Sequence, residues 1–145
     1  MYPVRILHVD DEPDIREVVE ISLGLDPCFA VRSCASGGDA LVEAAEWAPH
    51  MILCDVMMPE VDGYEASRQI REFEQLASLV RTPIIAITCV EDSQSCLAAG
   101  MDDYHRKPIL PEHMQLLVAK WSPNRTGTCY AATDERFANE PTVSR

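Results

Sequence analysis

Met51-Ile52-Leu53-Cys54-Asp55-Val56-Met57-Met58-Pro59 decides how the rest of the chain is read. A short apolar run ends in one aspartate, and Pro59 and then Asp62-Gly63 follow it. Such a run, bounded by turn signals, predicts a strand covered on both faces, as in a parallel sheet. Asp55 then stands at the strand's carboxyl end, the edge where open α/β sheets bind ligands. The ordinary reading of a lone aspartate there is a cap for the next segment. Two further features change the balance: an acidic pair after the first strand and a lysine-proline pair after the last.

Upstream, Val4-Arg5-Ile6-Leu7-His8-Val9 predicts the first strand, followed by Asp10-Asp11-Glu12 and Pro13. Proline suits the first helical position, and Ile15, Val18, Val19 and Ser22 recur at helical spacing, so a helix is expected to about Leu25. Acids at a helix start are favoured by the helix dipole at about 0.3–1 kcal/mol each, which accounts for one acid well and three poorly. Phe29 to Cys34 predicts a second strand. Ser36-Gly37-Gly38-Asp39 then opens a helix with Ala40, Leu41, Ala44, Ala45 and Ala48 inward, until Pro49 stops it.

Downstream, Asp62-Gly63-Tyr64-Glu65 predicts another helix cap, with Ala66, Ile70 and Phe73 as the buried stripe of a helix reaching about Leu79. Pro83-Ile84-Ile85-Ala86-Ile87-Thr88 is the most apolar strand and ends on a hydroxyl. Asp92 caps a short helix that Gly100 stops. Asp103 to Lys107 predicts a last strand too charged to be central, and Met114, Leu117, Val118 and Trp121 the inner face of a final helix. Alternating strands and helices with right-handed crossovers give an α/β fold, a doubly wound five-stranded parallel sheet with helices on both faces.

Residues 1–121 are expected to form one domain, and 122–145, rich in Pro, Thr, Asn and Gly without periodicity, a flexible tail. The tail carries Arg125, Arg136 and Arg145 against Asp134, Glu135 and Glu140, so the formal charge of −12 belongs to the domain. That charge argues against nucleic acid or an anionic membrane as a direct partner. No membrane-spanning run or signal peptide is evident, and a cytoplasmic location is expected. The six cysteines form no CxxC pair, and reduced, mostly buried thiols are expected, with Cys54 and Cys89 as core residues and Cys129 exposed. No ligand role is assigned to His8, His50, His105 or His113, and Trp47 and Trp121 look like packing anchors.

Asp10, Asp11, Asp55, Thr88 and Lys107 all fall at carboxyl ends of strands, so they are expected in one pocket. Two like charges about 4 Å apart repel by roughly 4 kcal/mol at an effective dielectric near 20, which invites a divalent cation and the lysine as compensation. Oxygen ligands favour Mg²⁺, with Mn²⁺ as a substitute, over zinc. A carboxylate beside such an ion, a hydroxyl and a lysine suits phosphoryl transfer to that carboxylate.

Val9-Asp10-Asp11-Glu12, Asp55-Val56-Met57-Met58-Pro59 with Asp62-Gly63, Pro83 to Thr88, and Tyr104 through Lys107-Pro108 together resemble a receiver domain of the two-component response regulators. The resemblance covers about residues 4–121 and implies the flavodoxin-like strand order 2-1-3-4-5. It implies that Asp55 accepts a phosphoryl group from a histidine kinase or phosphotransfer protein. Asp11 would bind Mg²⁺ directly and Asp10 through water, with the Met57 carbonyl as a further ligand. Lys107 would pair with phosphoryl oxygens, across a cis bond to Pro108. Thr88 and Tyr104 would form the switch, although Tyr104 alone would read as edge-strand packing.

The function so implied is a signalling switch, not an enzyme acting on other substrates. It would drive a downstream target protein or act in a phosphorelay, and it allows a phosphorylation-dependent homodimer. No output domain is expected after Trp121. The alternative is a phosphorylation-independent docking module. A haloacid-dehalogenase-type phosphatase would want an acid where Met57 stands, and a flavin module would not place three acids after its first strand. Cys89, next to Thr88, departs from the small residue usual in the family. Apolar Met57 and Val90, at positions that tune hydrolysis, predict a long-lived phosphoryl state. The segment Glu74 to Arg81 is longer than usual and has no assigned role.

Overall fold

The structure, a computed structural model, describes residues 3–89 and 92–122. Five strands alternate with five helices: β1 (Val4–Val9), α1 (Pro13–Gly24), β2 (Phe29–Cys34), α2 (Gly37–Glu46), β3 (Met51–Asp55), α3 (Gly63–Leu76), β4 (Ile84–Thr88), α4 (Ser93–Ala98), β5 (Asp103–Arg106) and α5 (Pro111–Trp121). All strand pairings are parallel, in the order β2-β1-β3-β4-β5, as expected.

Burial on both faces explains the strand sequences. β3 and β4 are buried at every position, which is why neither alternates polar with apolar residues. Ile6, Leu53, Ile85 and Ile87 join Val19, Leu23, Met114, Leu117 and Val118 on the side of α1 and α5. Leu7, Val9, Ile52, Cys54 and Ala86 join Ala40, Ile70, Cys96 and Met101 on the side of α2, α3 and α4. Each buried aliphatic contributes about 1.5–3 kcal/mol relative to exposure, so the two clusters hold the sheet between its helix layers. Among the described residues β5 pairs only with β4, in keeping with its charge.

Helix starts follow the predicted caps. Ser36, Asp62 and Asp92 accept hydrogen bonds from the amides of Asp39, Glu65 and Ser95. Gly63 is needed where it stands, because a Cβ there would collide with the Asp55 carbonyl oxygen and lie 2.8 Å from Val56 Cα. Gly100 ends α4 at φ +91°, a conformation glycine adopts without strain.

Several expectations need correction. Val18 is 53% exposed, because the sheet takes Ile15, Val19 and Leu23 at four-residue spacing, and Val18 falls on the outer face. Ala45 and Ala48 are also exposed. α3 stops at Leu76, where Ala77 and Ser78 turn the chain, Ser78 at φ 55°. Cys89 is exposed rather than core, since β4 ends at Thr88. The expectation of six reduced thiols fails at Cys28, which is disulfide-bonded, while Cys34, Cys54, Cys89 and Cys96 are free. The expected tail after Ser122, including Cys129, lies outside the described residues, as does Val90.

Candidate functional site

The sheet register brings the acids together. Val9 pairs with Cys54 on the adjacent strands β1 and β3, and Asp10 and Asp55 each lie one step beyond. Ile6 and Leu53 face the α1 and α5 layer, so two-residue alternation sends Asp10 and Asp55 to the same side. One carboxylate oxygen each from Asp10, Asp11 and Asp55 lies within 4.8 Å of the others. Asp10 and Asp55 are buried and Asp11 is half-buried, so the cluster opens to solvent on the Asp11 side.

Lys107, just past β5, spans the cluster. Its Nζ donates to Asp10 Oδ2 at 3.2 Å and lies 3.4 Å from Asp55 Oδ1. Its amide donates to the Thr88 carbonyl, and its bond to Pro108 is cis, as expected. Burial alone would press the ammonium toward neutrality, but Asp55 and Asp10 outweigh that and raise its pKa. Asp55 is pushed up from 3.8 to about 6, first by burial and then by Asp10, against the pull of Lys107 and the Met57 amide. That amide donates to Asp55 Oδ1 at 3.2 Å, while the Met57 side chain points out, 64% exposed. The first acidic turn is tied down separately: Asp10 Oδ1 accepts from the Glu12 amide, and the Asp10 carbonyl from Arg16.

Thr88 is wholly buried at the end of β4, next to β3. Tyr104 pairs with Ala86 in β5 and packs half-buried against the cluster that contains Cys96 and Met101. The structure thus gathers Asp10, Asp11, Asp55 and Lys107 directly, with Thr88 at the adjoining strand end and Tyr104 on β5, two residues before the register partner of Thr88.

The sequence alone passed over three features. His8 is buried with Nε2 4.0 Å from Asp10 Oδ2, and burial holds it neutral by lowering its pKa to about 4. A polar residue between Leu7 and Val9 in the apolar second half of β1 was its signal. Arg16, one helical turn into α1, carried none. The third is an ion network at the opposite edge of the sheet. Arg71 donates to Glu74, Asp102 and the carbonyls of Gly100 and Thr82, and Arg81 joins at Asp102. Glu74 and Arg81 bracket the long segment and fasten both its ends, a structural role that sequence spacing did not reveal.

The donor set fits a hard divalent ion: three carboxylates within reach of one another and open to water, with no cysteine or histidine in the group.

Residues 6–119 match the family described as the response regulator receiver domain. The chain is 35% identical over 136 residues to the hybrid signal transduction histidine kinase L of Dictyostelium discoideum, covering 88% of this chain and 8% of that protein. It therefore spans only a small part of that relative. Among solved structures, the receiver domain of the Pseudomonas aeruginosa sensor histidine kinase PA1611 superposes with a TM-score of 0.72 at 35% identity, over 82% of this chain and 97% of that one. That structure is described as holding a magnesium ion in its active site cleft. The chemotaxis protein CheY4 of Vibrio cholerae superposes at 0.74 with 28% identity, over 81% of this chain and 98% of that one.

Proposed function

The chain belongs to the response regulator receiver domain family, and from that premise we propose that it accepts a phosphoryl group on Asp55 from a phosphohistidine donor and so switches a protein-interaction surface. The observation that carries the reading is the juxtaposition of three carboxylates within 4.8 Å with a lysine ammonium 3.4 Å from the central one.

Mg²⁺, held by Asp11 and Asp55 with Asp10 through water and the Met57 carbonyl, would neutralise charge on the transferring oxygens. Asp55 Oδ1 is engaged by the Met57 amide and faces Lys107, so attack falls to Oδ2. A carboxyl with a pKa of about 6 is ionised at neutral pH and ready to attack. The new bond joins Oδ2 to phosphorus while the donor's phosphorus–nitrogen bond breaks, and the donor imidazole takes up a proton from solvent. Lys107 holds the phosphoryl oxygens, and the Thr88 hydroxyl turns to meet them. The phosphoryl group, with a charge of about −1.5 to −2 where the carboxylate carried one, draws Thr88 inward, and Tyr104 follows into the space behind it. A histidine kinase or phosphotransfer protein supplies the phosphoryl group, a target protein reads the switch, and phosphorylation-dependent pairing of two copies is one form of that readout. The working unit is residues 1–121.

Incubation with Mg²⁺ and acetyl phosphate, followed by intact mass measurement, tests this. A gain of one phosphoryl mass, lost with chelator and in Asp55→Asn, is expected. No gain from a folded protein would favour the docking-module reading.

A further inference from the structure

His8 and Ser33 are register partners on the adjacent strands β1 and β2. Val4, Ile6, Phe29 and Val31 face the α1 and α5 layer, and two-residue alternation puts His8 and Ser33 on that same side. Each carries a buried polar atom, His8 Nδ1 and Ser33 Oγ, that has no hydrogen-bond partner among the described residues. We infer that a water molecule bridges these two atoms and fixes His8 as a positioning residue, whose Nε2–H takes over the Asp10 carboxylate when Lys107 turns to the phosphoryl group. The inference rests on the phosphoacceptor reading of Asp55.

The spacing suits a single water. Neighbouring strands stand about 4.8 Å apart, and a water with two bonds of about 2.8 Å spans up to about 5.6 Å. Two facing polar atoms supply the partners that a buried water needs. Ser33 also lines an open cleft of about 470 Å³ with Glu20, Val31 and Asp39, so solvent reaches the outer side of the pair.

The ring has one orientation that satisfies both of its nitrogens. His8 is 2% exposed and neutral, so it carries one N–H and one lone pair. Nε2 lies 4.0 Å from Asp10 Oδ2, and a carboxylate attracts an N–H where it would repel a lone pair. The proton therefore sits on Nε2, and Nδ1 accepts from the water.

Asp10 gives this arrangement its use. Its Oδ1 accepts from the Glu12 amide at 2.9 Å and its Oδ2 from Lys107 Nζ at 3.2 Å. Lys107 also lies 3.4 Å from Asp55 Oδ1, so one ammonium serves two acids. As Lys107 moves to the phosphoryl oxygens, Asp10 Oδ2 loses that donor while still buried. A shift of about 1 Å brings His8 Nε2 into hydrogen-bond range of the same oxygen. The water holds the ring so that this N–H stays aimed at Asp10. The gain arises only as Lys107 departs, so it raises the rate of phosphorylation and not the affinity of the resting cluster for a metal ion.

The full chain tests this in two ways. Long-range proton–nitrogen NMR should place the His8 proton on Nε2, and Ser33→Ala should move the Nδ1 resonance toward that of a nitrogen without a hydrogen bond. His8→Leu should bind Mg²⁺ with a Kd within about twofold of the wild type, by calorimetry, while its initial rate of phosphorylation by acetyl phosphate falls about tenfold. His8→Gln, which keeps an N–H near the place of Nε2, should recover most of that rate. A proton on Nδ1, or an Nδ1 signal unchanged in Ser33→Ala, would overturn the inference. So would a wild-type rate in His8→Leu, equal losses in His8→Leu and His8→Gln, or a Mg²⁺ affinity that falls in step with the rate. A wild type that gains no phosphoryl mass would instead overturn the reading of Asp55, and this inference with it.

Discussion

Asp55 shows at the scale of one residue how burial becomes chemistry. Its carboxyl titrates near 6 because it is buried beside Asp10, and Lys107 offsets only part of that. A carboxyl raised above its ordinary 3.8 stabilises the fold when protonated. That contribution is complete below about pH 4 and is lost as pH rises through about 6. Without metal, Asp55→Asn should therefore be more stable than the wild type at about pH 7.5, by on the order of 2–3 kcal/mol, with the gap closing toward pH 5. Urea melts in chelator at the two pH values measure it, and a gap that does not depend on pH would contradict it. Lys107→Met should leave the fold standing but lower phosphorylation by acetyl phosphate at least tenfold, read as initial rate. Asp10, Asp11, Asp55 and Lys107 were legible in the sequence because each ends a strand and the register does the rest. His8 and Arg16 were not, since their relation to Asp10 depends on side-chain direction.

At the scale of elements, the β3–α3 connection and the α3–β4 segment carry the local risk. Gly63→Ala drives a methyl group into the Asp55 carbonyl, so the start of α3 and the end of β3 must move apart. The expected cost is about 1–3 kcal/mol by chemical denaturation, together with weaker Mg²⁺ binding, because the displaced backbone carries Asp55 and Met57. Arg71→Met would leave Glu74, nearly buried, without its cation while Asp102 keeps Arg81, and should cost about 1–3 kcal/mol. Hydrogen exchange should show that loss first around residues 74–84 rather than at the acidic cluster. The strands and caps were readable from local residue order, as with Asp62 and the fully apolar β4. The Arg71–Asp102 contact joins residues 31 apart, and the outward turn of Val18 depends on how α1 meets the sheet. Neither is encoded in a local pattern, and the exposure of Cys89 follows only from where β4 stops.

At the scale of the whole molecule, acidic charge gathers at one edge of the sheet and an ion network ties the other, and an ion held only by the folded cluster would add its binding energy to folding. Mg²⁺ at about a hundred times its Kd should stabilise the fold by about 2.7 kcal/mol, seen as a rise in Tm that chelator reverses and Asp11→Asn largely removes. No helix among the described residues is long and apolar enough to cross a membrane. The strand order and the family were legible because several short motifs occur in one sequence order. The disulfide at Cys28 was not, since cysteine spacing gives no pairing. The central claim is that the phosphoryl group rides on Asp55, and borohydride trapping after acetyl phosphate treatment tests it most directly. Reduction of an aspartyl phosphate leaves homoserine at that position, so peptide sequencing should find homoserine at 55 and nowhere else. Homoserine at another position, or a phosphoryl group that survives on a serine, threonine or histidine, would contradict the account.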